Sequence, residues 1–163
     1  MELWDILDND RNLTGKTSER GMALNKGEYH LVVFGFIKNS KGEFIISKRT
    51  ANKSFPNTWE ITGGAAITGD DSYHAIRREV KEELGIELTS PGKLIDSKKY
   101  EDDASYFVDV WLFEEDVDIH SVVCQPEEVS EAKLVTKDEI YKLINEGEFM
   151  MGIQSLVDCL DIV

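Results

Sequence analysis

One short region of the sequence gathers acidic side chains at spacings that suit chemistry. The stretch "GGAAITGDDSYHAIRREVKEELGIEL", residues 63–88, carries four glutamates within nine positions: Glu79, Glu82, Glu83 and Glu87. Carboxylate oxygens are hard ligands of the kind that Mg²⁺ and Mn²⁺ prefer. On a helix, at 100° per residue, Glu79, Glu82 and Glu83 fall within an arc of about 100°. The pattern indicates either a metal site or a solvated helix face.

The solvated face is the simpler interpretation, because most charge runs are exposed and Arg77, Arg78 and Lys81 stand nearby as ion-pair partners. Three carboxylates at i, i+3 and i+4 repel one another, however, and a bound cation would relieve that repulsion. The apolar residues of the same stretch recur at helical spacing and predict a buried side: Tyr73, Ile76, Val80 and Leu84. A fixed register between the buried side and the acids favours a built site.

The same residues resemble the Nudix box, G-x5-E-x7-R-E-U-x-E-E-x-G-U, in which U is a bulky aliphatic residue. The matching positions are Gly64, Arg78, Glu79, Val80, Glu82, Glu83, Gly85 and Ile86. One position departs, since Asp70 stands where the box has glutamate. In the family, that acid braces the start of the helix rather than acting as the main metal ligand, so its replacement by aspartate casts little doubt on the metal site. The shorter aspartate side chain would shift any bond to Arg78. Asp70 is also a candidate for a plain helix cap.

The resemblance implies a hydrolase that cuts a diphosphate bond in a nucleoside diphosphate derivative with Mg²⁺ or Mn²⁺. It assigns metal binding to Glu79, Glu82 and Glu83, one of which would position or deprotonate the attacking water, and adds the carbonyl of Gly63 as a further ligand. Arg78 would orient the carboxylates through a salt bridge. Catalysis of this kind rests on positioning and electrostatics.

A further acid often comes from a loop beyond the box in this family. The segment "CQPEEVSEA" offers Glu127, Glu128 and Glu131, and we select Glu128 as the additional metal ligand. For each of the three, a solvated loop position is the alternative.

Two basic residues before the box are candidates for the substrate's phosphates by the same resemblance. They are Arg49, which can grip phosphate with two hydrogen bonds, and Lys53. A surface charge in an acidic protein is the alternative for both. Trp59 and Phe55 could stack on a base, but a core or rim position is the favoured interpretation for each. His30 begins an apolar strand and is expected to be structural.

The elements that would position these residues indicate an α/β fold. Residues 29–37 and 44–49 predict a hairpin, and a short strand is expected near residues 59–62. A helix is expected over residues 72–84, with Gly85 as its stop, followed by strands in "KLIDSKKY", "SYFVDVWLFEED" and "EAKLV". Helices follow in "TKDEIYKLINEG", with Thr136 as cap and Gly147 as stop, and in "IQSLVDCLDIV". We predict a Nudix-type α/β/α sandwich with a mixed sheet.

The chain is expected to be one domain over residues 1–163, with a lead-in of residues 1–28 and the box at residues 64–86. In the lead-in, "LWDILD" could be a short strand and "DNDRNLTGK" contains turn formers.

Composition narrows the choice of partner. The chain has 18 Lys and Arg against 32 Asp and Glu, a net charge of −14. This balance argues against nucleic acid and against an anionic membrane, but allows a phosphorylated small molecule, because cations invert the local sign. No signal peptide or membrane-length apolar run is recognised, and the two cysteines form no metal motif, so a cytoplasmic protein is expected. A homodimer could form through the N-terminal region or the last helix.

Two other functions stay open. The segments "WDILD", "ERG", "GEYHLVV" and "SKRTANKSFPNTWE" resemble isopentenyl-diphosphate isomerases and their hydrolase-like relatives. The isomerase chemistry depends on a cysteine and a histidine near "ITGGAA", residues 61–66, where this chain has neither. Other proteins of the fold are nucleotide-binding modules that have lost box carboxylates, whereas Glu79, Glu82 and Glu83 are all present here. The sequence does not identify which diphosphate is the substrate.

Overall fold

The computed structural model describes residues 1–150 and 154–163. The strands are β1 (Leu3–Leu7), β2 (Leu13–Glu19), β3 (His30–Lys38), β4 (Phe44–Arg49), β5 (Trp59–Glu60), β6 (Gly63–Ala65), β7 (Lys93–Glu101), β8 (Ser105–Glu114) and β9 (Val129–Val135). The helices are α1 (Ser72–Leu84), α2 (Lys137–Asn145) and α3 (Gln154–Cys159). The predicted mixed α/β architecture is confirmed.

A mixed sheet is built around β3. One edge of β3 pairs in parallel with β8, from His30 opposite Tyr106 to Lys38 opposite Glu114, and β7 pairs antiparallel with β8. The other edge of β3 is shared by β6 and β4, both antiparallel, and β4 in turn pairs with β5 and β9. β6 pairs with the first half of β3 along that edge. Gly63 and Gly64 are therefore hydrogen-bonded to a strand in the middle of the sheet.

The helices cover both faces of this sheet, and the alternation of side chains along β3 explains how. Phe34 and Phe36 lie in a core cluster that includes Ile140 of α2 and Leu156 of α3. Val33 and Ile37, which point to the opposite face, lie in a second cluster with α1. An apolar strand buried on both faces is the expected result when helices pack on each side of it.

The helix that carries the acids has the bounds predicted from the sequence. Its N-cap is Asp71, whose side chain accepts a hydrogen bond from the backbone N–H of His74 at 2.8 Å. It ends at Gly85, which takes a left-handed conformation with φ of 66°. Ile76, Val80 and Leu84 are fully buried, so the register of the acids is set by the apolar side.

The N-terminal segment differs from the expectation. The strand in "LWDILD" is confirmed as β1, but part of "DNDRNLTGK" enters a second strand, β2, that pairs antiparallel with it. Apart from the half-buried Ser18, the residues of β2 are exposed, so no alternation of apolar residues marked it as a strand. We call the segment of residues 1–20 the N-terminal hairpin.

Backbone and side-chain bonds dock this hairpin on the domain. Leu7 and Tyr29 exchange backbone hydrogen bonds of 2.8 and 3.0 Å, and the N–H of Thr68 donates to the carbonyl of Leu3 at 2.8 Å. Arg11 donates to Asp109 of β8 at 2.7 Å. The hairpin is therefore held against the domain both near its turn and near its open end.

The C-terminal elements follow the prediction where they are described. Thr136 caps α2 in a capping box with Glu139, and Gly147 follows the helix with φ of 73°. The last helix begins at Gln154, and Ile153 of the predicted segment lies outside the described residues. Within residues 1–150 and 154–163, no helix has the length and apolarity needed to span a membrane.

Candidate active site

A pocket of about 100 Å³ lies between α1, the glycine pair of β6 and the open end of the N-terminal hairpin. Five carboxylates line it: Glu2, Glu79, Glu82, Glu83 and Glu128. Two cations, Arg20 and Lys53, line it as well. The structure therefore gathers four predicted metal ligands with the backbone of Gly63, which also lines the pocket, and with one predicted phosphate-binding residue.

The glycine pair lets the sheet approach the acids closely. A Cβ built on Gly64 would lie 2.6 Å from Glu79 Cδ, and one on Gly63 would lie 2.2 Å from the carbonyl oxygen of Val33. A side chain at Gly63 would collide with backbone that cannot move away, whereas a side chain at Gly64 would require the carboxylate end of Glu79 to move. Gly63 is thus required by its contact with the neighbouring strand, and Gly64 is required for the present position of the Glu79 carboxylate.

Glu83 is the most deeply buried acid of the pocket. It is 4% exposed, and its Oε2 has no hydrogen-bond partner in the part of the chain that the structure describes. Burial, and next the neighbouring carboxylate of Glu60, raise its pKa to about 8, although Lys53 opposes the shift. A buried carboxylate oxygen without a partner is costly, and a cation bound in the pocket would satisfy it.

Lys53 lies among the pocket's acids. Its Nζ forms an ion pair with Glu128 and lies 3.9 Å from Glu83 Oε1. The loop before β5 delivers this ammonium group, while Glu128 comes from the turn before β9. Lys53 thus neutralises part of the acidic cluster on the side where Glu128 leads into β9.

Arg78 braces the acidic face of α1. Its Nε donates to Asp70 at 2.9 Å, and its Nη1 donates to Glu79 at 2.8 Å and to Glu82 at 3.1 Å. Its Nη2 donates to the carbonyl of Ala65 at 3.2 Å. Burial alone would lower the pKa of Arg78, but the bonds to Asp70 and Glu79 raise it further than burial lowers it, so the group stays charged. Asp70 therefore reaches Arg78 although its side chain is shorter than that of glutamate. The N-cap of α1 is not Asp70 but the next residue, Asp71.

The other predicted phosphate-binding residue, Arg49, is engaged in the interior. It is 9% exposed, its Nη1 donates to Glu60 at 2.7 Å, and its Nε donates to the carbonyl of Ser54 at 2.6 Å. Burial raises the pKa of Glu60, and Arg49 opposes this rise. A role for Arg49 in binding phosphate stays a prediction. In this geometry the guanidinium is the counter-charge of Glu60, which lies behind Glu83.

The remaining candidates lie outside the pocket. Glu131 pairs with Lys48 in the strand ladder, and Glu127 accepts a bond from Thr50 through its backbone carbonyl. Trp59 is 6% exposed and belongs to the core, with the ammonium of Lys133 4.2 Å from its ring centre. Phe55 and His30 do not line the pocket either, and Phe55 is 55% exposed.

Sequence reasoning missed three charged residues of this region. Glu2 and Arg20 stand at the open end of the hairpin and pair at 2.8 Å, so only the docking of that hairpin brings them to the pocket. The sequence does carry a signal for Glu60, which is a charged residue inside the apolar stretch "WEIT" directly before the glycine pair. Glutamate is almost never fully buried unless it is paired, so a glutamate within such an apolar stretch predicts a buried ion pair.

The donor set fits a hard divalent cation. Carboxylates and a backbone carbonyl are the ligands that Mg²⁺ and Mn²⁺ take, and Glu83, whose Oε2 is buried without a partner among the described residues, is one of the residues that line the pocket. Arg78 and Lys53 hold several of the carboxylates in ion pairs. In residues 1–150 and 154–163, no three acidic, histidine or cysteine side chains stand together at ligating geometry.

Comparisons with known proteins cover most of the chain. A family model described as the NUDIX domain matches residues 28–151. A protein named as an uncharacterized Nudix hydrolase from Listeria monocytogenes is 41% identical over 152 residues, covering 92% of this chain and 89% of the relative. A Nudix hydrolase from Deinococcus radiodurans is 27% identical and covers 93% of this chain and 88% of its own.

Solved structures show the same architecture. A crystal structure from Deinococcus radiodurans superposes with a TM-score of 0.78 at 25% identity, covering 98% of both chains. A MutT protein from Methanosarcina mazei superposes with a TM-score of 0.66 at 23% identity, covering 82% of this chain and 93% of its own, and at that identity it speaks for the fold alone.

Proposed function

The chain belongs to the Nudix hydrolase family, and we propose that it is a metal-dependent pyrophosphohydrolase that cleaves a diphosphate bond in a nucleoside diphosphate derivative or a related organic pyrophosphate. The observation that carries the proposal is the buried Oε2 of Glu83, which has no hydrogen-bond partner among the described residues, in a pocket lined by four further carboxylates. The fold family uses divalent cations, and this donor set is consistent with Mg²⁺ or Mn²⁺.

Four carboxylates would hold the cation: Glu79, Glu82, Glu83 and Glu128, with the carbonyl of Gly63 as a fifth oxygen donor. When bound, the cation supplies charge neutralisation of the diphosphate and acidifies water for attack on phosphorus. Arg78 fixes Glu79 and Glu82 by its hydrogen bonds, so the ligands are oriented before substrate arrives.

The two cations that line the pocket are suited to the substrate itself. Lys53 lies against Glu83 and Glu128, so it would exchange a carboxylate for a phosphate oxygen when the cation enters. Arg20 is 61% exposed and carries a surface ion pair with Glu2, a pairing that is weak in water and easily given up. Its planar guanidinium can take two phosphate oxygens at once. Both would position the diphosphate against the carboxylates.

A substrate panel tests the proposal. The protein is incubated with Mg²⁺ and then Mn²⁺ in the presence of nucleoside diphosphate sugars, dinucleoside polyphosphates, nucleoside di- and triphosphates, and isopentenyl diphosphate. Metal-dependent release of nucleotide or phosphate, abolished by EDTA and by Glu83→Gln, is the expected result. Isomerisation of isopentenyl diphosphate in place of hydrolysis would replace the proposal with the isomerase. Binding without turnover across the panel would replace it with a nucleotide-binding module.

A further inference from the structure

A four-residue turn, residues 67–70, leads into α1, and we call it the entry turn. The N–H of Asp70 donates to the carbonyl of Ile67 at 2.9 Å and closes the turn. Gly69, at the third position, takes a φ of 90°, a conformation that glycine adopts without strain. The residue after the turn is Asp71, the N-cap of α1. The entry turn therefore sets where the backbone of Asp70 stands relative to the helix.

Both central residues of the entry turn are bound to the first strand of the N-terminal hairpin. The N–H of Thr68 donates to the carbonyl of Leu3 at 2.8 Å, and the Thr68 hydroxyl donates to the same oxygen at 3.1 Å. The N–H of Gly69 donates to Oδ2 of Asp5 at 2.8 Å. Of these three bonds, the last is the one accepted by a hairpin side chain. Asp5 is therefore the hairpin position at which a substitution removes a bond to the turn and leaves the backbone bonds in place.

The hairpin can hold the entry turn because the rest of the domain holds the hairpin. Ile6, the residue after Asp5, is 2% exposed. Near the hairpin's turn, both terminal nitrogens of Arg11 donate to the carboxylate of Asp109, which is 1% exposed. A buried carboxylate that loses its counter-charge is costly, so this contact opposes undocking. The hairpin is thus a fixed support for the residues bound to it.

The bond from Arg78 to Asp70 spans a distance that the Nudix box covers with a longer side chain. Glutamate is longer than aspartate by one carbon–carbon bond, about 1.5 Å. Asp70 nevertheless accepts from Arg78 Nε at 2.9 Å, and the two side chains are 18% and 19% exposed. Without this bond the guanidinium that holds Glu79 and Glu82 would lose one of its fixed points. The backbone of Asp70 must therefore stand close enough to Arg78 for an aspartate to reach.

We propose that Asp5 is a positioning residue, which holds Gly69 so that Asp70 reaches Arg78 as the longer glutamate of the box would. The effect on turnover rests on the proposed function. Asp5 does not line the pocket and acts through Asp70 and Arg78 on the carboxylates of α1. It also precedes residues 28–151, the segment matched by the family model. The N-terminal hairpin thus takes part in ordering the acidic face of the helix.

Rescue by a longer side chain provides the test. Asp5→Ala removes the bond to Gly69 and should lower kcat about tenfold with a smaller change in KM, because partners that orient metal ligands have effects of this size. In an Asp70→Glu background the same substitution should change kcat less than twofold, since glutamate reaches Arg78 without the held turn. Asp5→Asn keeps an oxygen acceptor and should retain most of the activity.

Asp8→Ala is the matched control. Asp8 belongs to the same hairpin and also accepts backbone bonds, from the N–H groups of Asp10 and Asn12 at 2.9 and 2.8 Å, but at the end of the hairpin away from the entry turn. Any loss that Asp8→Ala causes should be the same with and without Asp70→Glu. A general loosening of the hairpin would give this pattern for Asp5→Ala as well, and so would count against a positioning role.

A second measurement needs no turnover. The Nε–H signal of Arg78, assigned with Arg78→Lys in a ¹H–¹⁵N spectrum of the metal-free protein, reports the bond to Asp70. Asp5→Ala should speed its exchange with water fivefold or more, and Asp70→Glu should reverse that change. Equal kcat losses in the two backgrounds, or an Arg78 signal that Asp5→Ala leaves unchanged, would overturn the inference while the hydrolase stands. The expected Arg78 response in a protein that hydrolyses no substrate would overturn the proposed activity and leave the role of Asp5 intact.

Discussion

The carboxylate of Glu79 lies directly against the backbone of Gly64. A methyl group built on Gly64 would stand 2.6 Å from Glu79 Cδ and 2.7 Å from both carboxylate oxygens. On the other side Arg78 donates to Glu79 at 2.8 Å. The carboxylate is therefore confined between a glycine and a guanidinium, and its position depends on the absence of a side chain at residue 64.

Gly64→Ala should lower kcat tenfold or more by displacing Glu79. Gly64 is not among the residues with positive φ, so alanine can adopt the backbone conformation and the fold should be kept. Steady-state hydrolysis of the substrate found in the panel, together with the thermal midpoint, measures both effects.

A double-mutant cycle supplies the control for Gly64. If the glycine acts through Glu79, then Gly64→Ala should cost little in a Glu79→Gln background. Full additivity of the two substitutions would show that Gly64 matters for another reason, such as the pairing of β6 with β3.

Glu83→Gln should reduce turnover by orders of magnitude without unfolding the protein. The substitution keeps the shape of the side chain but removes a charged oxygen donor from the proposed cation site. The circular dichroism spectrum should match that of the wild type. A variant that retains full activity with Mg²⁺ would remove Glu83 from the site.

The same substitution should flatten the pH dependence of stability in the metal-free protein. The pKa of Glu83 is 4.5 in its reference state and about 8 in the fold, so the folded state binds more protons between these values. Stability from the neutral carboxyl is present below about pH 4.5 and is lost as pH rises through about 8, by at most about 1.4 kcal/mol per pH unit. Denaturant unfolding in EDTA at pH 5 and pH 8 should show Glu83→Gln gaining on the wild type at the higher pH. Parallel behaviour of the two proteins would contradict the raised pKa.

Arg20→Ala should raise KM tenfold or more with a smaller effect on kcat, because the residue is proposed to bind phosphate. Lys16→Ala is a matched control. Lys16 belongs to the same hairpin, is 69% exposed against 61% for Arg20, and also pairs with a glutamate, Glu28, but does not line the pocket. Equal KM values for the two variants would assign Arg20 to the surface.

Arg49→Gln should destabilise the fold by about 3–5 kcal/mol, because it leaves Glu60 buried without its counter-charge. Lys142→Gln breaks an exposed pair with Glu146 and should cost at most about 1 kcal/mol. Urea unfolding compares the two. A stable Arg49→Gln protein with a raised KM would favour the phosphate-binding role instead.

Local patterns in the sequence were enough to predict helix α1 and the core strands. The bounds of α1 follow from a cap residue, an apolar period and a closing glycine, which act within a few residues of one another. The apolar run of β3 likewise predicts a strand covered on both faces. The exposed strand β2 carries no such pattern, because its pairing with β1 and not its burial makes it a strand.

The sequence by itself determined that the acids of α1 share one side of the helix. Helical spacing places Glu79, Glu82 and Glu83 there whatever the rest of the chain does. What surrounds them was decided by tertiary structure. Docking of the hairpin brings Arg20 to the pocket, and the pairing of β4 with β9 brings Glu128 rather than Glu131 beside Lys53. Such contacts join residues far apart in the chain, and strand register and packing, which no local spacing encodes, select them.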